Sequence, residues 1–297
     1  MSLEELAVVR QLLAGLVTGE ARSLEDFRTS YDEAGKAFGL PEGVTVTPVS
    51  AGRVPGEWLA PAAGAGKRVL LYLHGGGYAL GSLDSHRHLA AHIALALNGR
   101  VLLIDYRRSP EHPFPAAVDD ALAVYRWLIE TGVDPAKLAV AGDSAGGGLT
   151  VSVLLAARDA GLGLPAAAVC ISPWANLENK GASYGAKANV DPMVRHADLE
   201  LWTAAYLGTS TPRRAPLASP VYADLNGLPP FLIQVGSSEV LLSDSHLLAD
   251  RLKEAGVSVD LHVWPEMIQV WHWFAPVLTE GRAAIDEMAS FLDTKLG

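Results

Sequence analysis

The chain has 297 residues, of which 49% are hydrophobic and 19% charged, with 23 basic residues against 33 acidic ones and a formal net charge of −10. That length accommodates one large α/β domain or two small ones around a sizeable core, and the composition is that of a soluble globular protein rather than a disordered one. The acidic balance and the lack of any basic run argue against nucleic acid as a partner.

The chain opens on "MSLEELAVVRQLLAG", which mixes charge into its apolar residues and starts with acids. It is expected to form an amphipathic helix and not a signal peptide. Residues 1–40 read as mostly helical, with Pro41 and Gly43 ending that region. "VTVTPV" and "GEWLAP" follow as two short strands that suit a hairpin. "RVLLYLHG" and "GRVLLIDYR" are continuous apolar runs ending in turn residues, the pattern of strands covered on both faces. Between them, "SHRHLAAHIALAL" suits a helix. Residues 116–131 place Val118, Ala121, Leu122, Tyr125 and Leu128 at helical spacing. "LAVAGDSAGGGLTVSVLLAARDAG" reads as a strand, a sharp turn and a helix closed by Gly161. "AAAVCISPW", "PFLIQVGS" and "VDLHVWP" supply three more strands, eight in all. Alternation of this kind predicts an α/β fold with a mostly parallel sheet and helices on both faces. Residues 177–215, rich in Gly, Pro, Trp and Tyr, interrupt the rhythm and are expected to join residues 1–40 as a helical cap on a single domain spanning 1–297. The longest uncharged runs are broken by Gly and Pro, so no membrane span is expected. Cys170 is the one cysteine and sits in an apolar run. It reads as a buried structural thiol, and the absence of any possible intrachain disulfide fits a reducing cytoplasm.

Two glycine-rich stretches carry chemistry. "GDSAG", residues 142–146, fits G-x-S-x-G between a strand and a helix, the pattern of a nucleophile elbow. There the serine, Ser144, is held on a strained turn, and its flanking glycines avoid collision with neighbouring backbone. The alternative is an ordinary glycine-rich strand-to-helix turn. "HGGG", residues 74–77, ends an earlier strand. Acyl transfer needs main-chain N–H groups aimed at a developing oxyanion, and a glycine run lets the backbone supply them. A plain flexible loop is the alternative; a phosphate-binding loop would require a G-K-[ST] continuation that is missing.

The stretches "YLHGGGYALGSLDSH", "DYRRSPEHPFPAAVDDA", "VAGDSAGGGLT" and "SPWANL" resemble the hormone-sensitive-lipase-like family of α/β-hydrolases, in particular its bacterial carboxylesterases. The resemblance is dense over roughly residues 70–177. It implies a Ser–acid–His triad, a cap, and an oxyanion site formed by the amides of Gly76, Gly77 and Ala145. It implies no metal or organic cofactor.

In this fold the acid follows the serine and the histidine comes last. After "PFLIQVG" the acids are Glu239, Asp244 and Asp250. Glu239 lies nearest the strand end and matches the family's acid position; Asp244 and Asp250 read as acids of a helix start and of a solvated surface. The histidine is expected a few residues past "VDLHVWP", in a context such as M-x-H-V-W. That frame here reads Met267, Ile268, Gln269, Val270, Trp271, so Gln269 stands where the family has its base. Glutamine has no basic nitrogen and cannot take a serine proton. His272 lies one turn further on, about 5 Å of rise, and reads as packed among Trp271, Trp273 and Phe274. His86, His88, His92, His112 and His262 read as structural, and no cluster has metal-ligand spacing.

The sequence therefore points to a carboxylesterase that hydrolyses short-chain, small, uncharged acyl esters through an acyl-serine intermediate, catalytically impaired at Gln269. Two other readings remain open: a non-catalytic ligand-binding protein on the same fold, as in the plant gibberellin receptors that resemble this family, and an amidase or deacetylase using the same elbow. Trp174, Tyr184, Trp202 and Tyr206 are the candidates to line the substrate pocket. The last strand of the sheet is expected to be exposed, which with the resemblance suggests a homodimer.

Overall fold

The computed structural model describes residues 2–17 and 23–297. The parts of the expected N-terminal helical region at residue 1 and residues 18–22 lie outside these. Two helices come first, α1 (Leu3–Val17) and α2 (Leu24–Ala37). Strands β1 (Val44–Ala51) and β2 (Val54–Pro61) form the hairpin read from sequence, in antiparallel register from Val44 opposite Pro61 to Ala51 opposite Val54. Both loop residues, Gly52 and Arg53, have positive φ (56° and 75°), the combination of a type I′ two-residue hairpin loop.

An alternating series follows: β3 (Val69–Leu73), α3 (Leu83–Leu97), β4 (Arg100–Ile104), α4 (Ala116–Glu130), β5 (Leu138–Asp143), α5 (Ala145–Asp159) and β6 (Ala167–Ile171). Between β6 and the next strand run two further helices, α6 (Ala182–Ala186) and α7 (His196–Leu207). The chain then completes the sheet with β7 (Phe231–Gly236), α8 (Leu242–Glu254), β8 (Val259–Trp264) and α9 (Thr279–Leu296). The eight strands lie in the order β1-β2-β4-β3-β5-β6-β7-β8; β2 pairs antiparallel with β1 and β4, and every other neighbouring pair is parallel.

Strand periodicity sorts the core into two layers. Leu71, Leu73, Val140, Cys170 and Ile233 face a layer built with α4, α5 and α8. Leu70, Tyr72, Ala141, Val169 and Leu232 face the other, built with α3 and α9 and with Leu6 and Val9 of α1. Burial of both faces is what the continuous apolar runs of the central strands demand. Cys170 is buried and free, as read from sequence.

The chain leaves β3 toward β4 on one side and then returns to place β5 on the other. Open α/β sheets hold their ligand crevice at such a switch point, beyond the C-terminal ends of the strands. The segment after β3 is the HGGG loop, and the segment after β5 begins with Ser144.

Candidate active site

Ser144 joins β5 to α5 at φ 53° and ψ −118°, a conformation that an L-residue holds only where its surroundings enforce it, at about 1–3 kcal/mol. The enforcement is visible: the Ser144 amide donates to the Ile171 carbonyl (2.9 Å), and the Ser144 carbonyl accepts from Gly148 (3.1 Å) and Trp174 (2.8 Å). Gly146 explains the motif's second glycine, since a Cβ there would lie 1.9 Å from the Leu73 carbonyl oxygen. The elbow and the HGGG loop are thus in direct backbone contact. Asp143 ties them further. Its carboxylate accepts from the Gly75 amide (3.1 Å) and from the Tyr72 hydroxyl (2.8 Å), and it faces His86 Nε2 at 3.4 Å.

The loop itself turns through positive φ at Gly76 (112°) and Gly77 (62°). Its turn is closed by the Ala79 and Leu80 amides, which both donate to the Gly76 carbonyl. Among the described residues, the amides of Gly76, Gly77 and Ala145 donate to no protein acceptor. Those are the three amides that the family resemblance assigns to the oxyanion. Trp202 of α7 covers this loop closely; a Cβ on Gly77 would lie 2.9 Å from its indole ring.

Glu239 follows β7 and is wholly buried. Its Oε1 accepts from the Gly236 amide (2.6 Å) and from the Ser172 hydroxyl (2.7 Å), while its Oε2 is buried with no partner. Burial pushes its carboxyl well above the usual carboxylate range, more than those two donors lower it. Gln269 reaches the same place from the other side. Its Nε2 donates to the Ser172 carbonyl (3.0 Å), the Val270 amide donates to Ser172 Oγ (3.1 Å), and Gln269 Oε1 is a second buried acceptor without a partner. Ser172, itself at φ 46°, therefore links the Glu239 carboxylate to residue 269. Neither spacing nor residue type marks Ser172 out in the sequence, because its role depends on three loops meeting.

His272 lies in a short 3₁₀ turn, Trp271–Phe274, and is buried against β7 and α9. Its Nε2 donates to Gln234 Oε1 (2.9 Å), whose amide nitrogen in turn donates to the Ala284 carbonyl and to Glu287. Burial holds its imidazole neutral, with the pKa down to about 3. It packs on Trp271 at 4.1 Å, whereas Trp273 packs on Tyr31, Phe38 and His88.

Asp244 and Asp250 part company. Asp250 is exposed on α8. Asp244 is in the first turn of that helix but is not the solvated acid expected there. It is wholly buried, accepting from Tyr184 Oη (2.9 Å) and from the Ala175 and Asn176 amides (3.2 and 3.0 Å). Burial raises its pKa to about 7. The reason for the difference is tertiary: the loop after β6 and the turn carrying Tyr184 both close over it.

The four expected pocket aromatics also separate. Trp174 is fully buried with its indole N–H on Asn179 Oδ1 (2.9 Å). Tyr206 is fully buried and stacked on Tyr78 at 3.7 Å, and Tyr184 is engaged by Asp244. All three are buried and engaged by protein neighbours, Tyr184 keeping 5% exposure. Trp202 keeps partial exposure, with Phe27 of α2 edge-on to it at 6.5 Å. Of the remaining histidines, His86 and His88 are buried, and His88 Nε2 contacts the Trp273 carbonyl at 2.8 Å. His262 is half-exposed and faces Glu287 at 3.0 Å. Among the described residues no group of His, Cys, Asp and Glu side chains is arranged to hold a metal ion, and no helix is long and apolar enough to cross a membrane.

A strained serine at a strand-to-helix elbow, a glycine loop with free amides and a buried acid two strands further along define an α/β-hydrolase. Residues 70–273 match a family model described as the alpha/beta hydrolase fold, and the chain belongs to the hormone-sensitive-lipase-like branch of these enzymes. It is 49% identical to an acetyl-hydrolase of Streptomyces hygroscopicus, over 100% of this chain and 99% of that protein. It superposes with a TM-score of 0.96 on the crystal structure of an esterase from the bacterial hormone-sensitive lipase family, at 44% identity and 99% coverage of both chains. It superposes with a TM-score of 0.94 on a crystal structure of EstE5 soaked with p-nitrophenyl butyrate, at 40% identity and 98% coverage of both chains. The scaffold is that of an ester hydrolase.

Proposed function

We propose that this chain is a serine carboxylesterase for small, uncharged, short-chain acyl esters, working through an acyl-Ser144 intermediate and lacking its general base because Gln269 occupies the base position. The observation that carries this reading is the shared attachment of Glu239 and residue 269 to Ser172, with an unpartnered oxygen on each. A histidine at 269 would find Glu239 Oε2 free to accept its ring N–H. In the role assignment, Ser144 is the nucleophile, Glu239 orients the base, and the amides of Gly76, Gly77 and Ala145 receive the oxyanion.

Glutamine at 269 has no basic nitrogen to take the Ser144 proton, and His272 is committed to Gln234. The expected activity is residual, resting on the oxyanion site and binding alone. Residues 1–40 and 177–215 form the cap in this reading, and Trp202, standing over Gly77, is the wall that limits the acyl or alcohol group. The preference for short acyl chains is supported by the name of the acetyl-hydrolase relative and by the butyrate ester introduced into EstE5 crystals. The outer edge of β8, with Val263 exposed, is our proposed contact between two copies of the chain; sedimentation analysis of the chain against a Val263→Lys variant tests it. The single buried thiol fits a cytoplasmic setting.

The deciding experiment is the hydrolysis rate of p-nitrophenyl acetate by the chain and by its Gln269→His variant. Rates that are equal and slow would reject the assignment of position 269.

A further inference from the structure

Glu239 stands on a short turn between β7 and α8, and the peptide groups of the next residue, Val240, are buried with it. Both groups take their partners from the segment between β6 and β7. The Val240 amide donates to Asp191 Oδ2 at 2.9 Å, and the Val240 carbonyl accepts from Ser183 Oγ at 2.5 Å. Ser183 also exchanges hydrogen bonds with Ser243, through its amide (3.0 Å) and through its hydroxyl, which accepts from the Ser243 amide (2.9 Å). Gly181 lies so close that a Cβ there would be 2.4 Å from Ser243 Cβ.

Asp191 is itself rigidly held. Its Oδ1 accepts from the Met193 and Val194 amides (2.9 and 3.1 Å), and Arg10 of α1 donates to the carbonyl of its neighbour Val190 (3.0 Å). A buried main-chain N–H and C=O left without partners are costly. The turn bearing Glu239 therefore keeps this shape only while residues 183–191 are docked on it.

We propose that Asp191, assisted by Ser183, is a positioning residue for Glu239: by clamping the Val240 peptide it makes the orientation of the acid depend on docking of the 177–215 segment. The inference rests on Glu239 being the acid of the proposed triad. The Asp191 carboxylate touches no reacting atom in this scheme; it acts through the turn.

The test uses Asp191→Ala and Asp191→Asn, each in the full chain and in the Gln269→His background. In that background, Asp191→Ala should lower kcat on p-nitrophenyl acetate at least tenfold with KM changed less than threefold. Asp191→Asn keeps one acceptor oxygen, but its NH2 then faces the amides that the other oxygen received, so it should recover only part of that loss. In the full chain without the restored histidine, hydrogen exchange at Val240 should quicken at least tenfold in Asp191→Ala, with β3 and α5 unchanged. Ser183→Ala, which removes the contact to the Val240 carbonyl together with the hydroxyl's bonds to Ser243, should move both readouts in the same direction if Asp191→Ala fails to fold. Unchanged kcat and unchanged Val240 exchange in folded variants would overturn the proposal. If Gln269→His is inactive, the base assignment fails on its own, and the exchange measurement still decides the clamp.

Discussion

Replacing Gln269 with histidine is the perturbation that tests most of the site at once. Removing the histidine from a serine hydrolase costs on the order of a millionfold in turnover, about 8 kcal/mol of transition-state stabilisation. How much returns depends on how well the new imidazole is held. Glu239 Oε1 is already engaged by Gly236 and Ser172, so it is fixed in place, and Oε2 is the one acceptor left open. A hydrogen bond to a charged group contributes about 1.5–3 kcal/mol, and loss of the orienting carboxylate alone costs about 10⁴-fold in related triads. Gln269→His should therefore raise kcat/KM on p-nitrophenyl acetate by about 10⁴-fold or more. Adding Glu239→Gln to that variant should remove roughly 10²–10⁴ of the gain. Stopped-flow or plate-reader release of p-nitrophenol measures both, with circular dichroism to show that the fold is intact. The reasoning fails if Gln269→His, correctly folded, gains less than about tenfold. It fails equally if the parent chain turns over rapidly and His272→Ala abolishes that activity.

Ser144→Ala should abolish any residual esterase activity and leave the unfolding midpoint nearly unchanged, because the hydroxyl makes no structural hydrogen bond among those described; thermal unfolding alongside the rate assay checks both halves. Ser172→Ala should destabilise the chain by about 1–3 kcal/mol in urea, since it leaves the Val270 amide and the Glu239 carboxyl short of a partner in a buried site. Glu239 should make the protein less stable as pH rises. Its folded pKa lies above the unfolded value, so its contribution is complete below about 4.5 and is lost as pH climbs through the raised folded value. Asp244 acts in the same direction up to about 7, and the buried His74 and His272, lowered to about 3, act oppositely below their ordinary value. Urea titrations at pH 5, 7 and 9 should thus show a smaller decline for Glu239→Gln than for the parent; an identical slope would refute it. Trp202→Ala in the Gln269→His background should raise the relative rate on octanoate over acetate esters, and an unchanged chain-length profile would remove Trp202 from the pocket wall.

The succession of strands and helices is legible in the residue pattern, because each central strand is a continuous apolar run bounded by turn residues and helices such as α4 carry their apolar residues at helical spacing. The pattern also marks the two loops at the switch point, since HGGG and GDSAG contain glycines where neighbouring backbone leaves no room for a Cβ, as at Gly146 against Leu73. The glutamine at 269 was equally legible, as a residue type that cannot accept a proton. Which acids are buried, and what they bind, depends on long-range packing. Asp244 and Asp250 are alike in sequence, yet one is enclosed by Tyr184 and the loop after β6 while the other faces solvent. The same holds for Ser172, which joins Glu239 to residue 269, and for Asp191, which holds the Val240 peptide: each contact spans dozens of residues along the chain. Local pattern records which face of an element is apolar. It does not record which side chain a distant loop will bring within hydrogen-bonding distance, because that depends on how the whole sheet and its connections close.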